Sequence, residues 1–274
     1  MHELTIEAGR SSRQYWRDIW QYRELFYILT WRDLSVRYKQ TVIGVLWAVA
    51  RPTITMVIFT VIFSRVAGLP SHGDIPYPLL VFAAMLPWQF FSTALSECSN
   101  SLVGNANLIS KIYFPRLIAP VATVFTSLVD LLISGVILVA MMAWYDYWPS
   151  WHVLFLPFFT LLAVGASIGA GLWLCALNVR YRDFRFVVPF IVQLGLYVSP
   201  VGFSSTVIPA SWRLLYSCNP MVGVIDGFRW ALLDHQTEPF YLPGLIASIA
   251  FVLVISISGL AYFRRLERSF ADII

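Results

Sequence analysis

The chain has 274 residues, of which 58% are hydrophobic and only 12% charged, with a formal net charge of +4. Soluble domains carry about 45–50% apolar and about 25% charged residues, so this composition excludes a water-soluble globular domain. It points instead to an integral membrane protein, a bundle of hydrophobic helices.

The first 40 residues are polar and charged, so no cleavable leader is expected and the first apolar run must do the targeting. Within them, residues 13–31 have helical periodicity. Trp16, Ile19, Trp20, Arg23, Phe26 and Tyr27 fall on one face, with Arg13, Arg17, Gln21 and Glu24 opposite. This spacing predicts an amphipathic helix lying in the membrane interface, with Arg23 snorkelling to headgroups.

Apolar runs of spanning length, about 20 residues each, then follow at 44–67, 77–98, 117–144, 153–177, 186–202 and 242–263. The stretch 203–241 is semi-apolar and interrupted by Pro209, Pro220 and Pro239. Short helices that enter the membrane and return fit it, provided they are buried against protein. The expected architecture is therefore all-α: a cytoplasmic segment at 1–40 with an interface helix, then a six-span domain at 41–274 with re-entrant helices at about 203–241. Between the third and fourth runs, Trp144 to Trp151 reads WYDYWPSW, an aromatic cluster suited to a headgroup-level anchor.

Charge sets the orientation. Arg10, Arg13, Arg17, Arg23, Arg32, Arg37, Lys39 and Arg51 precede or open the first run. Lys111 and Arg116 follow the second, Arg180, Arg182 and Arg185 the fourth, and Arg264, Arg265 and Arg268 the last. Only Arg65, Arg213 and Arg229 fall on the other side. Cationic loops stay cytoplasmic, so both termini are expected inside.

No catalytic constellation is visible. Cys98, Cys175 and Cys218 form no CxxC pair, and His2, His72, His152 and His235 form no HExxH, so no metal site is expected. The only lysines, Lys39 and Lys111, follow Tyr38 and Ser110, which rules out a GK[ST] phosphate loop. ATP-driven work would need a nucleotide site on another chain. Asp130 lies deep in the third run, where a carboxylate costs about 2.5–3.5 kcal/mol on insertion scales. It must be paired, protonated or facing a watery cavity. Glu97 and Arg51 lie near span ends, where snorkelling suffices. One deep carboxylate is thin support for a proton-driven pump.

Several motifs stand in order along the chain. Arg32 to Lys39 (RDLSVRYK) leads into Gly44, Leu46, Trp47 and Pro52. Leu86-Pro87-Trp88-Gln89-Phe90-Phe91 lies in the second run, and Asn100 to Asn107 followed by LISKIYFPR (Leu108 to Arg116) makes the next loop. Leu177-Asn178-Val179-Arg180-Tyr181-Arg182-Asp183 closes the fourth run. Ser199-Pro200-Val201, Pro209 with Trp212-Arg213, and Asn219-Pro220-Met221 complete the set. From about residue 25 onward the chain resembles the ABC type 2 polysaccharide exporter permeases, the Wzm-like O-antigen, capsule and teichoic acid group.

The resemblance implies a half-transporter in the bacterial inner membrane. Two copies would pair with two Wzt-like ATPase subunits that bind the ATP and magnesium, leaving this chain without a cofactor of its own. The substrate would be an undecaprenyl-pyrophosphate-linked glycan, most simply O-antigen, moved to the outer leaflet; membrane lipids would surround it and no nucleic acid is involved. Arg17 and Trp20 on the interface helix, and Asn105, Asn107, Leu108 and Lys111 on the coupling loop, would contact the ATPase. Arg37, Lys39 and Arg51 would meet the pyrophosphate, although positive-inside anchoring explains them equally well. Arg180, Arg182 and Asp183 would form a charged cytoplasmic gate or only fix orientation. Trp47, Trp88, Phe90, Phe91 and Tyr197 would line the channel, and Asp226 could pair with Arg229 near the exit. Two other classes fit parts of the pattern: an ABC type 2 exporter of drugs or small lipids, and a membrane enzyme acting on polyprenyl-linked sugar. The enzyme would need clustered acids, and Asp146, Asp226 and Asp234 show no tight spacing.

Overall fold

Proline opens most of the long helices. An N–H in the first helical turn has no intrahelical partner, so a proline there loses nothing. Pro78, Pro157, Pro220 and Pro243 each occupy the first or second position of a helix. The computed structural model describes residues 12–38, 42–66, 68, 75–233, 240–267 and 270, with side chains for all but 12–14, 42–48 and 51.

In chain order the helices are α1 (Ser12–Gln21), α2 (Arg23–Tyr38), α3 (Val42–Phe59), α4 (Tyr77–Gly104), α5 (Ala106–Ile109), α6 (Ile118–Trp144), α7 (Leu156–Arg180), α8 (Phe184–Val198), α9 (Ala210–Tyr216), α10 (Pro220–Leu233) and α11 (Leu242–Glu267). A π-helical stretch, Thr60–Val66, prolongs α3, and 3-10 turns at Trp151–Phe155 and Ser205–Val207 precede α7 and α9. No strand occurs among the described residues.

Among those residues four helical segments are long and apolar enough to cross a membrane: Tyr77–Gly104, Ile118–Trp144, Trp151–Arg180 and Leu242–Glu267. The expected first and fifth runs contain shorter apolar helices, Pro52–Val66 and Phe184–Val198. At 1.5 Å per residue α8 is about 22 Å long, short of the roughly 30 Å hydrocarbon core. It ends where Ser199 turns extended ahead of Pro200. The broken stretch 203–241 holds α9 and α10, divided by Pro209 and Pro220 as expected.

α4 is the central pillar. A helix apolar all round must be buried, and Leu79, Val81, Ala83, Ala84, Ala94, Cys98 and Leu102 of α4 have no exposed surface. α6, α7 and α10 pack around it. α7 and α11 meet along small residues, as helices in lipid commonly do. A Cβ on Gly169 would sit 2.8 Å from the Ser256 backbone, and one on Gly259 would sit 2.4 Å from the Gly169 carbonyl oxygen. Ser256 closes this seam by donating to the Gly165 carbonyl at 3.0 Å.

Two apolar cores divide the bundle lengthwise. One joins α4, α7 and α10 through Phe82, Phe90, Phe159 and Ile225. The other joins Leu29 of α2 to Leu102, Ile118, Leu172 and Phe263. The second lies at the end carrying Lys111, Arg116, Arg180, Arg264 and Arg265, here called the basic end.

The amphipathic segment differs from its expected facing. Tyr15, Ile19, Tyr22, Leu25 and Phe26 pack against the basic-end core. Trp16, Trp20, Tyr27 and Trp31 point outward, Trp20 being 71% exposed. Aromatic residues occupy both faces of this segment, and the bundle takes the one that reaches α6, where Phe26 meets Phe125 edge-on at 5.1 Å.

Candidate functional site

The basic end and the adjoining middle of the bundle gather most of the charged side chains that bridge separate elements. α2 crosses α6, which brings Arg37 and Tyr38 at its C-terminus beside Asp130. Arg37 forks between Asp130 of α6 and Glu97 of α4, an ion pair to each. Tyr38 donates its hydroxyl to the other Asp130 oxygen. Asp130 is thus paired, the first of the three outcomes open to it. Burial and the hydrogen bond to Asp130 push the Tyr38 phenol well above its ordinary range, so it stays protonated. A guanidinium suits two carboxylates because its donors form a planar fork.

Further along α2, Arg32 holds its neighbour Asp33 at 2.7 Å and donates to the Asn105 side-chain oxygen at 2.9 Å. Asn105 in turn donates to the Ser101 carbonyl at 2.8 Å, fixing the α4–α5 corner. Asn178 of α7 clasps α4 through the Ser99 carbonyl and the Asn100 side chain, both at 3.0 Å. After α5, the Arg116 backbone N–H donates to the Glu267 carboxylate at 3.0 Å and its side chain to the Glu267 carbonyl, tying this loop to the end of α11. Arg264 lies 4.7 Å over the Tyr15 ring. Burial and the nearby Glu267 carboxylate hold the Tyr15 phenol protonated.

The expected coupling residues therefore share one end but play different parts. Asn107 and Lys111 are exposed beside Val103, Ile112 and Tyr113. Leu108 turns inward against the core, and Asn105 is engaged by Arg32. Arg17 and Trp20 are exposed on α1. Arg180, Arg182 and Asp183 are exposed at the α7–α8 turn, where Arg180 stacks on Tyr181 at 5.3 Å. No ion pair links these three among the described residues. Lys39 lies outside the described residues, as do the side chains of Trp47 and Arg51. Arg37 is committed to Glu97 and Asp130 rather than open to a phosphate.

Two channel expectations need correction. Trp88 and Phe90 are only 5% and 2% exposed. Trp88 packs against Gly195 of α8, and Phe90 belongs to the central core, because α4 has no exposed face to put them on. Phe91 is half-buried, and Tyr197 is 61% exposed on α8. Asp226 and Arg229 make no direct ion-pair contact among the described residues, although the Asp226 charge acts on the guanidinium. Arg229 instead donates to three backbone carbonyls, Leu80 at 3.2 Å, Phe203 at 2.7 Å and Val201 at 2.9 Å. A guanidinium has five donors; the chain turn after α8 supplies the Val201 and Phe203 carbonyls, which no helix satisfies, and α4 supplies that of Leu80.

Sequence reasoning missed Glu97, Asn178, Arg116 and Glu267 as bridging residues. Their signal was weak: each is one polar residue near a span end. The match to known proteins fits this layout. Residues 24–233 match the family described as ABC-2 type transporter. The chain belongs to that family. It is 29% identical over 254 residues to the O-antigen export system permease protein RfbA of Myxococcus xanthus, covering 92% of this chain and 96% of that protein. An RfbA of the same description from Klebsiella pneumoniae is 28% identical, covering 92% and 95%. The polysialic acid transport protein KpsM of Escherichia coli is 24% identical over 243 residues, covering 87% and 92%. These relatives are named as permeases and transport proteins, and this ABC-2 member is likewise a transporter subunit rather than an enzyme.

Proposed function

We propose that this chain is the permease subunit of an ATP-driven exporter that moves lipid-linked polysaccharide, most simply O-antigen, from the cytoplasmic to the outer leaflet of the inner membrane. The observation that carries the reading is the near end-to-end similarity to O-antigen export permeases. On this reading the segment 42–66 and α8 complete six spans, both termini are cytoplasmic, and α9 with α10 forms a re-entrant pair on the external side. The basic end faces the cytoplasm. There Asn107, Lys111, Arg17 and Trp20 meet a separate ATPase chain, which binds ATP and magnesium.

The exposed apolar row Phe186, Phe190, Leu194 and Tyr197 on α8, with Ile54 and Ile58 on α3, supports a second copy of the chain beside the glycan path. Two copies would then work with two ATPases. Co-expression with the ATPase encoded beside it tests the reading. The expected result is a stable complex whose ATPase rate rises with polyprenyl-linked glycan. A permease that purifies without any ATPase, or a complex stimulated equally by unrelated amphiphiles, contradicts it.

A further inference from the structure

A groove of about 440 Å³ opens at the end of the bundle opposite the basic end, between α3 with its π-helical stretch, the start of α4 and the last turns of α6. It is within the range of about 300–1,000 Å³ that suits a small ligand. Its walls are largely apolar, with Val57 and Met141 among them. Three polar features interrupt that lining. Arg65 lines one end of the groove and is exposed. Thr60 lines it too, and its hydroxyl oxygen is buried without a hydrogen-bond partner. Trp144 and Tyr145 add two aromatic rings with polar edges, the kind found at headgroup level.

Arg65 is unusual for its place. Of the three cations assigned to this end, Arg229 is held by three carbonyls and Arg213 lies over the Tyr241 ring at 4.5 Å. Among the described residues nothing pairs with Arg65. Thr60 stands five residues earlier on the same π-helical stretch, about one turn away. Thr53, also in the groove, is already satisfied by the Val49 carbonyl at 2.7 Å. The groove therefore presents, in order, a guanidinium, an unpaired hydroxyl and an apolar trough.

We infer that this groove binds an anionic glycerophospholipid, with its phosphate on Arg65, an ester carbonyl on the Thr60 hydroxyl and one acyl chain along Val57 and Met141. The order of groups in such a lipid, anion then ester then hydrocarbon, is the order in the groove. A lone snorkelling arginine would attract phosphates too, but it would need neither Thr60 nor the trough.

The test is native mass spectrometry of the full-length chain titrated with phosphatidylglycerol or phosphatidylcholine. Both lipids carry the phosphate, but the choline cation of phosphatidylcholine competes with the Arg65 guanidinium for it, so the wild type is expected to favour phosphatidylglycerol by about threefold. Arg65→Gln should abolish that preference and Arg65→Lys should keep it. Thr60→Val should weaken both lipids by about threefold, since a neutral hydrogen bond is worth roughly 0.5–1.5 kcal/mol. Val57→Trp should fill the trough and remove the bound lipid. Should Val57→Trp fail to fold by circular dichroism, the Arg65 pair still decides. Binding by Arg65→Gln equal to wild type overturns the inference. So does displacement of the lipid by glycerophosphoglycerol, which has no acyl chain. A wild-type dimer that Arg65→Gln splits while lipid binding stays unchanged also overturns it, and would assign the groove to a second copy.

Discussion

The two ends of this molecule are held together by different chemistry. Toward the basic end, bonds to the Ser99, Ser101 and Glu267 carbonyls are joined by bonds from side chain to side chain: Arg32 to Asn105, Asn178 to Asn100 and, nearer the middle of the bundle, Arg37 to Glu97 and Asp130. At the opposite end, apart from the Asn219–Ser199 bond, the bonds between elements run mainly from side chains to backbone carbonyls. Arg229 reaches Leu80, Val201 and Phe203, Tyr77 donates to Gly202 at 2.6 Å, Tyr216 to Val198 at 2.8 Å, and Tyr147 to Leu233. A carbonyl at a chain turn cannot move without moving the chain, so these bonds pin loops in place. A charged side chain can change partner by rotating about its own bonds. Bonds between side chains are the easier ones to exchange, and on the proposed orientation they lie toward the ATPase, while the opposite end is pinned through its backbone.

The largest expected effect breaks the pinned end. Arg229→Met removes the donor from three carbonyls, and a buried unsatisfied acceptor costs roughly 1–3 kcal/mol. The expected result is a loss of about 3 kcal/mol or more, seen in detergent as a melting temperature about 10 °C lower. A drop of only a degree or two would show that the opposite end is no more rigid than the basic one. Next comes Arg37→Met, which leaves Glu97 and Asp130 facing each other across α4 and α6. These groups are partly exposed, so the expected cost is about 1–2 kcal/mol, below the full penalty for breaking a buried pair. Adding Glu97→Gln and Asp130→Asn to Arg37→Met should restore part of the loss, because groups in one network couple by about 0.5–3 kcal/mol. Strict additivity in thermal melts would dissolve the network.

Asn105→Ala sharpens the comparison from the functional side. It leaves Arg32 to Asp33 alone and loosens the α4–α5 corner, with an expected stability cost of about 1 kcal/mol or less. Transport-coupled ATPase activity of the complex should nonetheless fall severalfold, the coupling range of about 1–3 kcal/mol. Trp20→Ala should be the smallest change to the fold itself, within about 0.5 kcal/mol, because the side chain touches little of the bundle. Its expected effect is weaker retention of the ATPase on purification.

Much of this layout was readable from sequence. The apolar runs and the uneven cations follow from the bilayer, which acts on composition alone. The breaks at Pro209 and Pro220 were equally plain, since proline cannot continue a helix. Asp130 was conspicuous as a carboxylate in an apolar run, but its partner was not, because Arg37 lies 93 residues away. The Asn178–Asn100 clasp spans 78 residues and was invisible for the same reason. Trp88 and Phe90 were misplaced because α4 is apolar on every side, so periodicity cannot say which way an aromatic points. The N-terminal segment carries aromatics on two faces, so periodicity alone could not say that Ile19 and Phe26 turn to the bundle while Trp16, Trp20 and Tyr27 stay outward. Arg229 read as half of an ion pair because its true partners, three carbonyls, have no sequence signature.

The central claim is that this chain carries polysaccharide across the membrane. The most direct measurement is surface glycan on cells from which its gene has been deleted, blotted beside the same strain complemented with the intact chain. The account predicts that surface polysaccharide disappears in the deletion, lipid-linked glycan accumulates inside, and complementation restores export. Unchanged surface polysaccharide in the deletion strain would contradict it.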